Sequence, residues 1–236
     1  MSFANEVKRW LSPTSIGGQL ALIITLVTLI GGRWNEVTEQ IALIPASVIS
    51  DFKLWQLASY GFISVAEGWS IVFTIVICLQ AGTFLEQRWG ARRLWLFVFV
   101  VNALAGLLTV LLGLASARVA HMVYLGGLTT TTILWVAEGV TLGPQRVNFF
   151  FFPVTGYALA VIGAISPLVT AWTRGWWAVL PQLFGIAITV AWVKDYTPAQ
   201  LWLRFRSAQL ERDLRKRASH LSVIDGKRSD RDQYLN

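Results

Sequence analysis

The chain has 236 residues, 55% of them hydrophobic and 14% charged, with a formal net charge of +7 and a mean hydropathy of +0.55. That balance excludes a soluble globular domain. Its basic residues sit between apolar runs and at the carboxyl end. That placement argues for membrane topology and contact with anionic lipid, and against nucleic acid as a partner.

The opening residues, MSFANEVKRWL, lack the order of a cleavable signal peptide, so the amino terminus is expected to be retained. Phe3, Val7, Trp10 and Leu11 recur at helical spacing beside Lys8 and Arg9. They predict a short interfacial helix over 1–14, before Ser12-Pro13 redirects the chain. Uncharged apolar runs near or above the roughly 18 residues needed to cross the hydrocarbon then follow, and in that medium they must be helical.

The first span is expected over 15–30, ending at Gly31-Gly32. A long connection, 31–54, carries the run IALIPASVIS, too short to cross and interrupted by Pro45; it reads as interfacial or re-entrant. Span two is expected over 68–85 and span three over 94–115. Span four is short, 128–140, after a Tyr124-Leu125-Gly126-Gly127 loop that dips into the membrane. Span five is expected over 147–171, with Pro153 and Pro167 kinking or ending it, and span six over 177–193.

Six spans place both termini on one side. Lys8, Arg9, Arg88, Arg92, Arg93, Arg146 and Lys194 fall on that side, against Arg33, Lys53, Arg118 and Arg174 on the other. The tail adds nine basic and six acidic residues, so the positive-inside rule puts both termini in the cytoplasm. Residues 195–236 then form a basic cytoplasmic tail. Thr197-Pro198-Ala199-Gln200 starts a helix there.

The stretch from Leu54 to Leu96 resembles the rhomboid-like family of intramembrane proteins. Trp55-Gln56-Leu57 and Ser59-Tyr60-Gly61-Phe62 are similar to that family's approach into helix two. Gly82, Leu85-Glu86 and Trp89-Gly90 are similar to its exit. The resemblance implies an all-α integral membrane protein: a rhomboid-like bundle of six transmembrane helices over 15–194, with an interfacial first loop and a cytoplasmic carboxyl-terminal helix. It also implies that Glu86, Arg88 and Trp89 clasp helix ends in register.

Active rhomboids cut peptide bonds with a serine on helix four, in a Gly-x-Ser-Gly motif, and a histidine on helix six. The matching positions here are Gly127-Leu128-Thr129-Thr130 and Gln182-Leu183-Phe184-Gly185. Thr129 stands where the serine belongs and Gln182 where the histidine belongs. On helix two the family's polar positions hold Ser70 and Thr74. An amide has no titratable acceptor near neutral pH and cannot act as a general base.

Of the two histidines, His220 falls in the tail. His121 precedes Thr129 by roughly 12 Å of helix rise, and a simple interfacial histidine outweighs a catalytic one. The threonine hydroxyls of 129–132, with Asn102 and Gln80, read as hydrogen-bonding groups between helices. Glu138 is expected to reach the interface. The single cysteine, Cys78, reads as a packing residue. No metal site and no cofactor are implied.

These readings converge on a catalytically inactive rhomboid-like protein that binds other transmembrane helices. It acts either as a client-binding pseudoprotease or as an accessory subunit of a larger membrane complex. Phe149 to Phe152, Trp135 and Trp192 are candidate contacts for partner helices or pigments, with lipid contact equally open. The alternative is an atypical intramembrane protease using Thr129. A transporter lacks support, because no pair of interrupted, charge-bearing spans is present. The expected location is a bacterial inner membrane.

Overall fold

The computed structural model describes residues 15–65, 68–149 and 152–194. The expected interfacial helix over 1–14 and the tail from 195 lie outside the described residues.

Five segments are long and apolar enough to cross a bilayer: Ile16–Arg33, Trp69–Trp89, Ala91–Ala115, Gly156–Arg174 and Trp176–Val193. The helix α1, Ile16–Arg33, starts at Ser15, whose hydroxyl accepts from Gly18 N at 3.1 Å. It runs through Gly31-Gly32 instead of stopping there. Gly31 belongs inside the helix because a side chain at that position would sit 2.7 Å from Ile63 Cδ1 and 2.8 Å from Thr38 Oγ1.

The connection to the second span folds into three short helices: α2 (Asn35–Ile41), α3 (Pro45–Ser50) and α4 (Gln56–Ser59), followed by a 3-10 turn, Tyr60–Phe62. Gln56 is fully buried and stitches this connection together. Its Oε1 accepts from Ile44 N at 3.2 Å and its Nε2 donates to Glu39 O at 2.8 Å. Leu43, Val48 and Tyr60 pack inward, while Trp34, Phe52, Leu54 and Trp55 stay exposed. An apolar outer rim on a stitched loop is what a segment lying in the interface requires.

The second span comprises α5 (Gly68–Ile77), a π turn (Cys78–Gly82) and α6 (Thr83–Trp89). The extra residue of the π turn falls where α1 crosses. A Cβ on Gly82 would lie 2.7 Å from Gly17 Cα, and one on Gly17 would lie 2.5 Å from Cys78 O. Two glycines therefore let the backbones touch. Cys78 is buried in the same core as Leu20, Ile24, Leu85, Phe97 and Leu134.

Gly90, with φ of +83°, turns the chain into α7, Ala91–Ala115. A short α8 (Ala117–Ala120) follows, and then α9, Gly127–Leu142. At 16 residues, α9 rises about 24 Å, less than the roughly 30 Å of hydrocarbon. It is buried at every position except Leu128, Val140 and Thr141. A helix covered on all sides belongs at the centre of its bundle.

The all-helical expectation is corrected after α9. Residues expected to begin span five form an antiparallel hairpin, β1 (Arg146–Phe149) and β2 (Phe152–Thr155), with Arg146 opposite Thr155. Pro153 lies in β2, where a missing N–H is tolerated on an edge. The helix α10 starts only at Gly156 and runs to Arg174, with Thr155 Oγ1 accepting from Ala158 N at 3.3 Å. Pro167 lies within α10 without ending it. One 3-10 turn, Trp176–Val179, leads into α11, Leu180–Val193.

Replacing Gln56 with Leu leaves Ile44 N and Glu39 O unpaired, at an expected cost of about 1–3 kcal/mol. Replacing Gly17 with Val forces α1 off the π turn and costs at least the roughly 1–3 kcal/mol of overpacking. Thermal unfolding of the purified protein in detergent checks both. An unchanged midpoint for Gly17→Val would show that the backbones do not touch.

Candidate functional site: a two-chamber cleft at the start of the central helix

The approach to the second span is laid against the beginning of α9 by backbone. Gly126 N donates to Tyr60 O and Gly127 N to Ile63 O, both at 2.8 Å. Side chains on Gly126 or Gly127 would collide with the Tyr60 ring or with Ser64. Ser64 N in turn donates to Thr28 Oγ1 of α1 at 2.9 Å.

Thr130 completes this joint. Its hydroxyl donates to Gly61 O at 2.7 Å and accepts from Asn102 Nδ2 of α7 at 3.1 Å. Tyr60 Oη reaches Asn102 O at 3.2 Å, and burial raises its phenol above the ordinary range, so it remains a donor. Asn102 thus does join helices, as its sequence position implies. Thr131 bonds back to its own helix, at Gly127 O and Leu128 O, and Thr132 meets Ser166 of α10 at 2.9 Å. These hydroxyls are occupied with structure.

Beside the joint lies a cleft of two chambers. The first, about 370 Å³, is lined by Tyr124, Leu128, Thr129, Thr170, Arg174 and Gln182, among others. The second, about 270 Å³, is lined by Phe73, Thr132, Trp135, Ser166 and Val169 as well as Leu128, Thr170 and Gln182. The two chambers adjoin at Leu128, Thr170 and Gln182. The second one opens between α5 and α10, which share no packed face.

The structure brings Thr129 and Gln182 to one chamber, because α9 and α11 cross closely at Gly185. A Cβ there would be 2.9 Å from Ile133 Cγ2 and 3.3 Å from Thr129 Cγ2. Gln182 is buried, with Nε2 at 3.5 Å from Thr170 Oγ1 and Oε1 unpartnered. Ser70 and Thr74 line neither chamber, and their hydroxyls have no partner among the described residues. Among the described lining residues there is no His, Asp, Glu, Lys or Cys. His121 is exposed and lines neither chamber.

The helix-end clasp has a different membership from that expected. Glu86 Oε2 accepts from Ile16 N at 2.8 Å, a carboxylate placed on the positive end of α1. Trp89 packs edge-on against Phe97, with ring centroids 5.3 Å apart. The cation over Trp89 is Arg93, 5.8 Å from the ring centroid, while Arg88 is exposed. Trp55 Nε1 donates to Gln40 O at 2.9 Å and so belongs to the connecting loop.

Two further expectations fail. Glu138 does not reach the interface. It is 4% exposed, with Oε2 unpartnered among the described residues. The short α9 is enclosed by its neighbours, so its acid has no path outward. Trp135 is not an exposed aromatic either: it is buried against Phe73 and meets the outside only along the second chamber, while the half-buried Trp192 packs on Phe97.

A family profile described as "Eukaryotic integral membrane protein (DUF1751)" matches residues 17–144. Transmembrane protein 115 of Mus musculus is 34% identical over 158 residues, covering 61% of this chain and 42% of that protein. Its Homo sapiens counterpart is 25% identical over the same shares. Rhomboid-like protein 19 of Arabidopsis thaliana is 34% identical over 85 residues, 36% of this chain and 27% of that protein. The match therefore spans less than half the length of these relatives. The profile and these eukaryotic relatives overturn the expectation of a bacterial inner membrane; an integral membrane protein of eukaryotic type is what they support.

Thr130→Val removes a donor to Gly61 O and an acceptor for Asn102 together. It is expected to destabilise by about 1–3 kcal/mol, whereas Thr129→Val, with no hydrogen bond to lose to the joint, costs less. A double-mutant cycle of Thr130→Val with Asn102→Leu should be strongly non-additive. Additive losses in detergent unfolding would mean that the two side chains are not coupled.

Proposed function

The chain belongs to the DUF1751 family of eukaryotic integral membrane proteins, and from that premise we propose that it is a rhomboid-like protein that binds transmembrane helices without cutting them. In this reading α9 is the sixth membrane helix, too short to span alone and carried by the five around it. The observation that supports the reading best is chemical. Positions 129 and 182 share a chamber, but hold a hydroxyl with no base and an amide that cannot become one.

A cleft that opens between α5 and α10 offers a neighbouring helix a side entrance. Its wall is aromatic and aliphatic surface (Phe73, Trp135, Val169), with the hydroxyls of Thr132 and Ser166 bonded to each other. Helices associate in lipid largely through close packing on such surfaces. Binding is either transient, to successive clients, or permanent, within a larger complex. The two forms differ in stoichiometry after mild solubilisation, since a permanent partner co-purifies in a fixed ratio.

A fluorophosphonate probe should leave the purified protein unlabelled, and Thr129→Ala should change nothing. Labelling that Thr129→Ala abolishes would establish the Thr129 protease instead. A photoreactive amino acid in place of Val169 should crosslink to membrane segments of other proteins in native membranes, and one in place of Leu111, on the exposed face of α7, should not. Equal yields from the two positions would mean that the cleft selects nothing.

A further inference from the structure

The first chamber sets a few polar groups among apolar walls. Tyr124 is 3% exposed and its hydroxyl has no partner in the structure. Burial pushes its phenol up to about 12, which keeps the proton in place. No side chain caps α9 and its first turn holds no acid. Leu128 and Thr129, in that turn, line the chamber, as does the guanidinium-bearing Arg174 at the end of α10. An uncapped helix start attracts negative charge. Among the described residues no acid lines either chamber to oppose it.

Depth is set by the aromatic residues around Arg174. Trp172, Trp176 and Trp177 are all exposed, Trp172 at 91%, and tryptophans on the outer surface of a membrane protein mark the headgroup level. The polar chamber therefore lies where lipid phosphates lie. The second chamber leads away from it through the shared residues Leu128, Thr170 and Gln182, toward apolar walls at Phe73, Trp135 and Val169. Volumes of about 370 and 270 Å³ suit a small-molecule site.

We propose that this cleft is the seat of one membrane glycerophospholipid, with its phosphate at Tyr124 Oη, Arg174 and the start of α9, and one acyl chain in the groove between Phe73, Trp135 and Val169. Gln182 lies at the junction, and its unpartnered Oε1 accepts from a glycerol or headgroup N–H or O–H. An acyl chain there occupies the same groove as a client helix, but the lipid assignment does not rest on client binding: it needs only this chain and lipid.

The test uses the purified full chain in detergent micelles, with no other protein present. The probe is phosphatidic acid carrying a photoreactive acyl chain, compared with the matching diacylglycerol, which lacks the phosphate. Labelling of the Phe73, Trp135 and Val169 region should favour phosphatidic acid by about tenfold, the worth of a charge-assisted hydrogen bond. Tyr124→Phe and Arg174→Gln should each remove most of that preference. Tyr124→Phe deletes an unpartnered oxygen and keeps the ring, so its unfolding midpoint should hold or rise.

Leu128→Trp, which fills the junction, should abolish labelling at Val169. Inorganic phosphate in excess should not displace the lipid. Equal labelling by diacylglycerol, indifference to both donor variants, or displacement by inorganic phosphate alone would each overturn the assignment.

Discussion

The membrane-embedded part of this protein hangs on one joint, where the chain entering the second span lies backbone to backbone against the start of α9. Gly126 and Gly127 donate to the carbonyls of Tyr60 and Ile63, and no side chain larger than hydrogen fits at either glycine. A buried backbone group without a partner costs several kcal/mol. A buried irregular segment survives only if each group finds a partner. Thr130 and Asn102 supply partners from α9 and α7, and Thr28 supplies one from α1. Three helices and a loop are fixed by one small polar cluster.

Beside that joint, at the start of α9, lies the cleft. Thr129, Gln182 and Arg174 meet there, although they come from three different helices. Shape alone does not make the cleft an enzyme. Its chemistry follows from the groups presented, here hydroxyls, one amide and one guanidinium.

Much of this arrangement was legible in the sequence, for a physical reason. Apolar runs long enough to cross a bilayer announce themselves, and Gly82, Gly127 and Gly185, marked in the sequence only by the family resemblance, stand where no side chain fits without a clash. The role of Asn102 followed from the cost of burying an amide without a partner. The hairpin over 146–155 was hidden because its residues are as apolar as a span, and hydropathy does not distinguish strand from helix. Glu138 was misplaced by assuming that α9 reaches the interface. Nothing in the pattern marked Gln56 as the stitch of the connecting loop, since its partners are backbone groups of Glu39 and Ile44 and leave no sequence signal. At the end of the second span Glu86 binds the start of α1, and the cation over Trp89 is Arg93.

Hydrogen exchange in lipid nanodiscs tests the joint most directly. The amides of Gly126, Gly127 and Ser64 belong to irregular backbone, which exchanges fast when it is only touching water. Here they are expected to be as protected as the interior of α9 around Ile133, and Thr130→Val should release all three together. Fast exchange at Gly126 and Gly127 in the unaltered protein, with α9 protected, would contradict the account.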